Sequence, residues 1–158
     1  MAAFDKYLRA ILDQAGAEAR RDGSATIEAQ HILLAMAADP AGAAGTLLAS
    51  AGLDRAAVRS ALDREFEHSL SVAGVSRSAF GLPPATPDPD RTPRPGSSVQ
   101  LALERAVAAA SSRREMGPAD LLLSILRAEV GTVPRALELA GVDRAALTAR
   151  VAAEAGTR

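Results

Sequence analysis

The segment IEAQHILLAM at residues 27–36 has a second version, MGPADLLLSI, at residues 116–125. The same offset of 89 residues aligns AGLDRAAV at 51–58 with AGVDRAAL at 140–147, where six of eight positions are identical and two exchange apolar residues. A constant offset with apolar-for-apolar exchange is typical of a duplicated structural unit. The sequence therefore predicts one unit present in two copies.

Apolar residues in each copy recur at three- and four-residue steps, which is the pattern of amphipathic helices. The first helix of copy one spans about residues 4–20. Its equivalent spans about 98–110, with Ser98 as the N-cap and Leu101 on the apolar face. Because no period-2 alternation of β-branched residues occurs, the predicted fold class is all-α. We expect two pseudo-symmetric four-helix repeats packed as a single domain over residues 1–158.

Helix-capping residues support this division. The pair Asp39-Pro40 predicts the start of a third helix in copy one, with Asp as N-cap and Pro at the first helical position. Gly52 and Gly141 are expected to end the third helices. Asp54 and Asp143 follow closely and are expected to cap the fourth helices by accepting a backbone hydrogen bond.

The sequence places repeat one at 4–70, a connector at 71–97 and repeat two at 98–155. Six of the nine prolines fall within 82–96, a density that predicts an extended, solvated connector. We expect Val72, Val75 and Phe80 to pack against the core as a short extra turn. The charged cluster at 63–67 is expected to be solvated.

Composition excludes several classes of function. The formal net charge is -1 and no basic stripe occurs, so nucleic-acid binding has little support. No run of about 18 apolar residues predicts a membrane span. The absence of cysteine excludes disulfides, thiolate zinc sites and cysteine nucleophiles, and it fits a cytoplasmic location.

The repeat architecture, together with the QHILL segment at 30–34, resembles the Clp amino-terminal (Clp R) domain of the ClpC and ClpA unfoldases. That family carries a Gly-Thr-Glu-His-Ile/Leu-Leu-Leu pattern in both repeats, and this chain keeps its His31-Ile32-Leu33-Leu34 portion. The resemblance covers 4–155 apart from the long connector. It implies a module that receives substrates and adaptors. We expect a stand-alone protein, the alternative being a segment of a longer chain.

The resemblance places a binding surface at the junction of the repeats, where the ends of both first helices and both copies of the quoted segment converge. We expect a modest groove with an apolar floor that docks a helix or an extended peptide. The candidate peptide- or adaptor-binding residues are Phe4, Tyr7, Gln30, His31, Ala119 and Asp120.

Each candidate has a structural alternative. Phe4 matches an aromatic residue that binds cyclic peptides in some actinobacterial members, but it also fits core packing. His31 fits a partly buried structural histidine, and Asp120 fits a first-turn carboxylate. Gln30 and Ala119 stand where ClpC-type members use Glu for phosphoarginine. Because Gln30 brings no charge and Ala119 no hydrogen bond, we expect weak or absent phosphoarginine recognition.

Catalysis is not expected. Lys6 is the only lysine and follows no Gly-rich loop, so the chain has no phosphate-binding loop of an ATPase. Neither histidine lies in a nucleophile-elbow context, no histidine pair suits a metal, and no cofactor is implied. The sequence therefore predicts a non-catalytic module that binds a substrate segment, an adaptor or a Clp unfoldase. The alternative is a decoy or immunity protein that sequesters cyclic-peptide natural products.

Overall fold

A computed structural model describes residues 2–110 and 115–157. The described residues form eight helices and one pair of very short strands, so the predicted all-α class is confirmed. The elements in chain order are α1 Ala2–Arg21, β1 Thr26–Ile27, α2 Ala29–Ala37, α3 Ala43–Ser50, α4 Arg55–Val72, β2 Arg94–Pro95, α5 Ser97–Ala109, α6 Pro118–Leu126, α7 Thr132–Leu139 and α8 Arg144–Gly156.

Side chains from both halves of the chain build one apolar core. α1 packs on α2 as α5 packs on α6, while α4 packs on α7 and thereby joins the two halves. Leu33 of α2 and Leu122 of α6 are both buried in the same cluster. These are equivalent positions of the two quoted segments, so the duplicated apolar run supplies the core. No helix in the described part of the chain is long and apolar enough to cross a bilayer.

Most of the predicted caps are confirmed. The Asp54 carboxylate accepts from the Ala57 amide at 2.8 Å, and the Asp143 carboxylate accepts from the Ala146 amide at 3.0 Å. Gly52 ends the turn after α3 with φ +74°, a left-handed conformation that favours glycine.

The prediction that Asp39-Pro40 starts α3 is wrong, because α3 begins at Ala43 with Gly42 as N-cap. Asp39 instead accepts from the Gly42 amide at 3.2 Å, and the Pro40 carbonyl accepts from the Thr46 hydroxyl. A Cβ at Gly45 would lie 1.8 Å from the Asp39 carbonyl oxygen. The chain therefore folds back tightly here, and the Asp-Pro pair belongs to this turn.

The predicted start of the first helix in copy two is also wrong in detail. α5 begins at Ser97 after Gly96 as N-cap, and Ser98 is bonded to the other half of the chain. The buried face of α5 carries Val99 and small alanines, while Leu101 is 48% exposed. Ser98 therefore connects segments distant in sequence, which helix-capping rules do not anticipate.

The connector is more closely attached than its proline content predicts. β1 and β2 pair in parallel, with Thr26 opposite Arg94 and Ile27 opposite Pro95. Two-residue strands are too short to show the alternation that identifies strands in a sequence. The expected packing of Val72 and Phe80 is wrong, since their exposed fractions are 76% and 66%, whereas Val75 is partly buried.

The expectation that residues 63–67 form a solvated face fails at Glu65. This carboxylate is buried, and its Oε1 accepts from the Ser69 hydroxyl at 2.6 Å and from Arg135 Nε at 2.9 Å. Arg135 lies on α7, so the charge that looks surface-exposed in the sequence lies between packed helices.

Candidate functional site

A cavity of about 730 Å³ lies where α4, the end of α1, the start of α2 and the connector meet. Its volume falls within the range of about 300–1,000 Å³ that is usual for ligand sites. We call this cavity the groove. It is lined by Arg21, Asp22, Gln30, Arg55, Arg59, Leu62, Asp63, Glu65, Phe66, Arg77, Leu82, Pro83, Pro84, Ala85 and Thr132.

One side of the groove is apolar. α4 contributes Leu62 and Phe66 at a four-residue step, and the connector contributes residues 82–85. The Phe66 side chain is half exposed, which is unusual for an aromatic residue on a packed helix. The guanidinium of Arg77 lies 5.6 Å from the centre of the Phe66 ring, a cation–π distance.

The polar side begins with a buried carboxylate behind the groove. Glu18 of α1 accepts a two-pronged pair of hydrogen bonds from Arg55, with Nε and Nη2 each at 2.9 Å, and a third from Arg21 at 3.0 Å. Bidentate pairing fixes the orientation of a guanidinium. Arg55 is therefore held in place on the wall of the groove.

A second polar chain runs from the groove to the start of α2. Arg59 Nη1 donates to Asp22 Oδ1 at 2.7 Å, and Asp22 Oδ2 lies 3.2 Å from His31 Nε2. The Glu28 amide donates to His31 Nδ1 at 2.9 Å, so Nδ1 is the unprotonated nitrogen. The Nε2 hydrogen therefore points at Asp22, and the imidazole links the groove wall to the helix start.

These contacts shift the acidity of the groove residues. Burial opposes ionisation of Asp22, but hydrogen bonds from His31 and Arg59 outweigh it and lower the pKa of this carboxyl below its usual value. Burial likewise opposes the charge on Arg59, yet the bond to Asp22 raises the pKa of the guanidinium. Both groups are charged at neutral pH.

His31 and Asp120, which occupies the matching position in the second half, have the same structural role. The Gly117 amide donates to Asp120 Oδ2 at 2.7 Å, just as the Glu28 amide donates to His31. Each side chain sits three residues after the N-cap and satisfies a backbone donor of the helix start. This shared role explains why two different polar residues occupy matching positions.

The six residues predicted as binding candidates lie in three places. Gln30 lines the groove, and His31 is buried behind it. At the start of α1, Phe4 is buried in a small cluster with Met116, and Tyr7 lies beside it with ring centroids 6.4 Å apart. Ala119 is fully buried, and Asp120 holds the start of α6.

Several groove residues were not anticipated from the sequence. Arg55, Arg59, Leu62 and Phe66 follow one another at three- and four-residue steps along α4, a spacing that the sequence does contain. The spacing shows that these four residues share one face of α4. It does not show what faces them, because the opposite wall comes from the proline-rich connector.

No group of three or more histidine or acidic residues suited to a metal ion occurs in the ranges 2–110 and 115–157.

The groove combines an apolar wall with fixed hydrogen-bonding groups. The two halves of the chain each contain four helices in the same order. A search of curated proteins returned no match. The family model described as the Clp repeat (R) N-terminal domain matches residues 3–114, which is more than half of the chain. The protein therefore belongs to the Clp repeat N-terminal domain family.

Proposed function

We propose that this chain is a non-catalytic module that binds an extended protein segment in the groove. Clp-type N-terminal modules commonly interact with proteins, and the groove is the feature that supports such a role here. The observation that carries the proposal is the half-exposed ring of Phe66 in a wall that also holds oriented arginines. Apolar side chains give affinity in such a site, and polar groups orient the peptide backbone.

The polar wall suits backbone recognition. Arg55 is held by Glu18 and Arg59 by Asp22, so neither guanidinium has to be ordered when a ligand binds. Gln30 offers both a donor and an acceptor at the same rim. A peptide therefore exchanges its bonds with water for bonds with these groups, while its apolar side chains cover Phe66, since Leu62 is already buried.

The proposed ligands are a substrate segment, an adaptor or a Clp unfoldase partner. We also propose a cytoplasmic location, in keeping with the cysteine-free composition. The proposed surface differs from the one expected from the sequence in relying on α4 and the connector. Of the six sequence candidates, Gln30 lines the groove directly, and His31 acts by holding Asp22.

Fluorescence anisotropy with labelled casein, an unfolded protein, tests this function. Phe66→Ala is expected to weaken binding about five- to tenfold, because roughly 1–1.4 kcal/mol of apolar burial is lost. Leu101→Ala is the matched control, since Leu101 is 48% exposed against 50% for Phe66 and does not line the groove. Equal affinities of both variants and the wild type would contradict the proposal.

The same titration separates the sequestering role from protein binding. A chain that binds a fluorescent cyclic peptide but no casein would favour the decoy or immunity function. A pull-down from native cytosol, repeated with changes at Gln30, His31 and Asp120, then identifies the class of partner. Recovery of neither Clp components nor peptides would argue against an adaptor role.

A further inference from the structure

The connector is fixed to the α1–α2 loop along much of its length. Arg91 Nη1 donates to the Gly23 carbonyl at 3.0 Å, and the Thr86 carbonyl lies directly over Gly23. Three connector amides continue this attachment in parallel register. The Asp88 amide donates to the Arg20 carbonyl at 2.9 Å. The Arg94 amide donates to the Ala25 carbonyl at 3.3 Å, and the Gly96 amide donates to the Ile27 carbonyl at 2.8 Å.

The attachment is completed at the start of α5. The Glu28 carboxylate accepts from the hydroxyls of Thr26 and Ser98, and the Ala29 amide donates to the Ser98 hydroxyl at 2.8 Å. Gly96 packs against the same carboxylate so closely that a Cβ would overlap it. The connector therefore has a firm anchor from residue 86 onward.

The other end is held by a weaker latch. Arg77 stacks on Phe66, and its Nε lies 3.4 Å from the Glu67 carboxylate. The Leu82 amide donates to the Arg77 carbonyl at 2.9 Å and so closes a turn at this end. Arg77 thus covers part of the ring that the proposed ligand would use.

Between the latch and the anchor, residues 82–85 line the groove but are exposed to solvent. Pro83 and Pro84 have no amide hydrogen, so this stretch cannot join a sheet through those positions. Leu82 is 43% exposed, which means that much of its side chain is covered. We call residues 77–85 the strap.

We propose that the strap is a movable wall of the groove, which covers part of the Phe66 ring in the free chain, and that an incoming peptide displaces it. This inference rests on the proposed function. A tethered segment competes at a high effective concentration. The apparent affinity for an external peptide is then the intrinsic affinity multiplied by the fraction of chains whose strap is open. Weakening the latch or lifting the anchor then strengthens peptide binding.

Two variants release the strap in different ways. Arg77→Ala removes the cation–π contact on Phe66 and is expected to tighten casein binding about two- to fivefold. Gly23→Ala places a Cβ 2.6 Å from the Thr86 carbonyl oxygen and pushes the strap outward, with a similar gain expected. Gly52→Ala is the matched control, because Gly52 has nearly the same φ, +74° against +66°, but no atom within 4 Å.

Movement of the strap is measured independently of affinity. The chain has no cysteine, so Ala85→Cys accepts a single nitroxide label, and electron paramagnetic resonance reports its mobility. The label is expected to become more mobile in the Gly23→Ala background and when the wild-type background is saturated with casein. The affinity of the labelled chain is compared with that of the unlabelled wild type.

The outcomes separate the two proposals. If casein binds but the label does not gain mobility, or if both release variants bind casein no more tightly than Gly52→Ala, the strap is not a competitor, although the groove remains a binding site. If no variant binds casein at any concentration, the proposed function fails, and competition by the strap fails with it.

Discussion

Asp22→Asn tests the contact that holds the polar wall of the groove. Asp22 accepts from Arg59 at 2.7 Å and from His31 at 3.2 Å, and the side chains of Asp22 and Arg59 are each 29% exposed. Two unit charges about 4 Å apart attract by about 4 kcal/mol at an effective dielectric constant of about 20. Desolvation offsets much of this attraction. Fully exposed pairs contribute only about 0.2–1 kcal/mol.

We therefore expect a coupling free energy of about 1–2 kcal/mol between Asp22 and Arg59, between the values for exposed and buried pairs. Urea unfolding of the wild type, Asp22→Asn, Arg59→Gln and the double variant measures this coupling at pH 7. Asp63 provides a control, because it acts on Arg59 through its charge alone and forms no hydrogen bond with it. The coupling of Asp63→Asn to Arg59→Gln is expected to stay below about 0.5 kcal/mol.

The coupling also has a defined dependence on pH. The pKa of Asp22 is lower in the fold than in the unfolded chain, so the unfolded state binds more protons in this range. The stabilisation is fully present above the ordinary carboxyl pKa of about 3.9 and is lost as the pH falls through the folded value. A coupling below about 0.3 kcal/mol at pH 7, or one that grows on acidification, would refute this reasoning.

Three further predictions concern single side chains. Burial, with a smaller contribution from the charge of Asp39, raises the pKa of Tyr7 to about 12. Absorbance at 295 nm reports only Tyr7, because it is the single tyrosine of the chain. The titration is expected to show ionisation near 12 for the folded chain and near 10 in urea. Stability should fall between these values, and Tyr7→Phe should remove that part of the fall; ionisation near 10 in the native chain would contradict it. Ser98→Ala is expected to lower the unfolding free energy by about 1–2 kcal/mol, because the Ala29 amide loses its hydrogen-bond partner. Ser97→Ala is the control and should change stability little, because Ser97 is exposed. Equal effects of the two variants on thermal unfolding would show that the Ser98 hydrogen bonds contribute nothing. A phosphoarginine peptide is expected to show no tight binding, since Gln30 carries no charge, and calorimetric titration with saturable tight binding would overturn this prediction.

Helix positions and caps were predictable because they depend on neighbours in sequence. Asp54 needs only the amide of Ala57 three residues later, and Gly52 needs only its own left-handed backbone. Asp39-Pro40 was misread because a local rule allowed two outcomes. The close approach of Gly45 to the Asp39 carbonyl selected a turn rather than a helix start.

The groove was less predictable, because its walls come from separated segments. Glu65 reads as part of a solvated charge cluster until α7 brings Arg135 against it. Phe66 continues the apolar spacing of α4, but only the packed chain shows that its ring is left half uncovered. The predicted surface at the repeat junction included Ala119, which tertiary packing buries completely.

The sequence by itself determined the duplicated unit, the all-α class and the family resemblance. These follow from the spacing of apolar residues and from caps that act within a few residues. Only the tertiary structure decided where the groove lies and which residues line it. Long-range contacts bring α4 opposite the connector and tie Asp22 to both Arg59 and His31, and such contacts depend on how the helices pack rather than on local spacing.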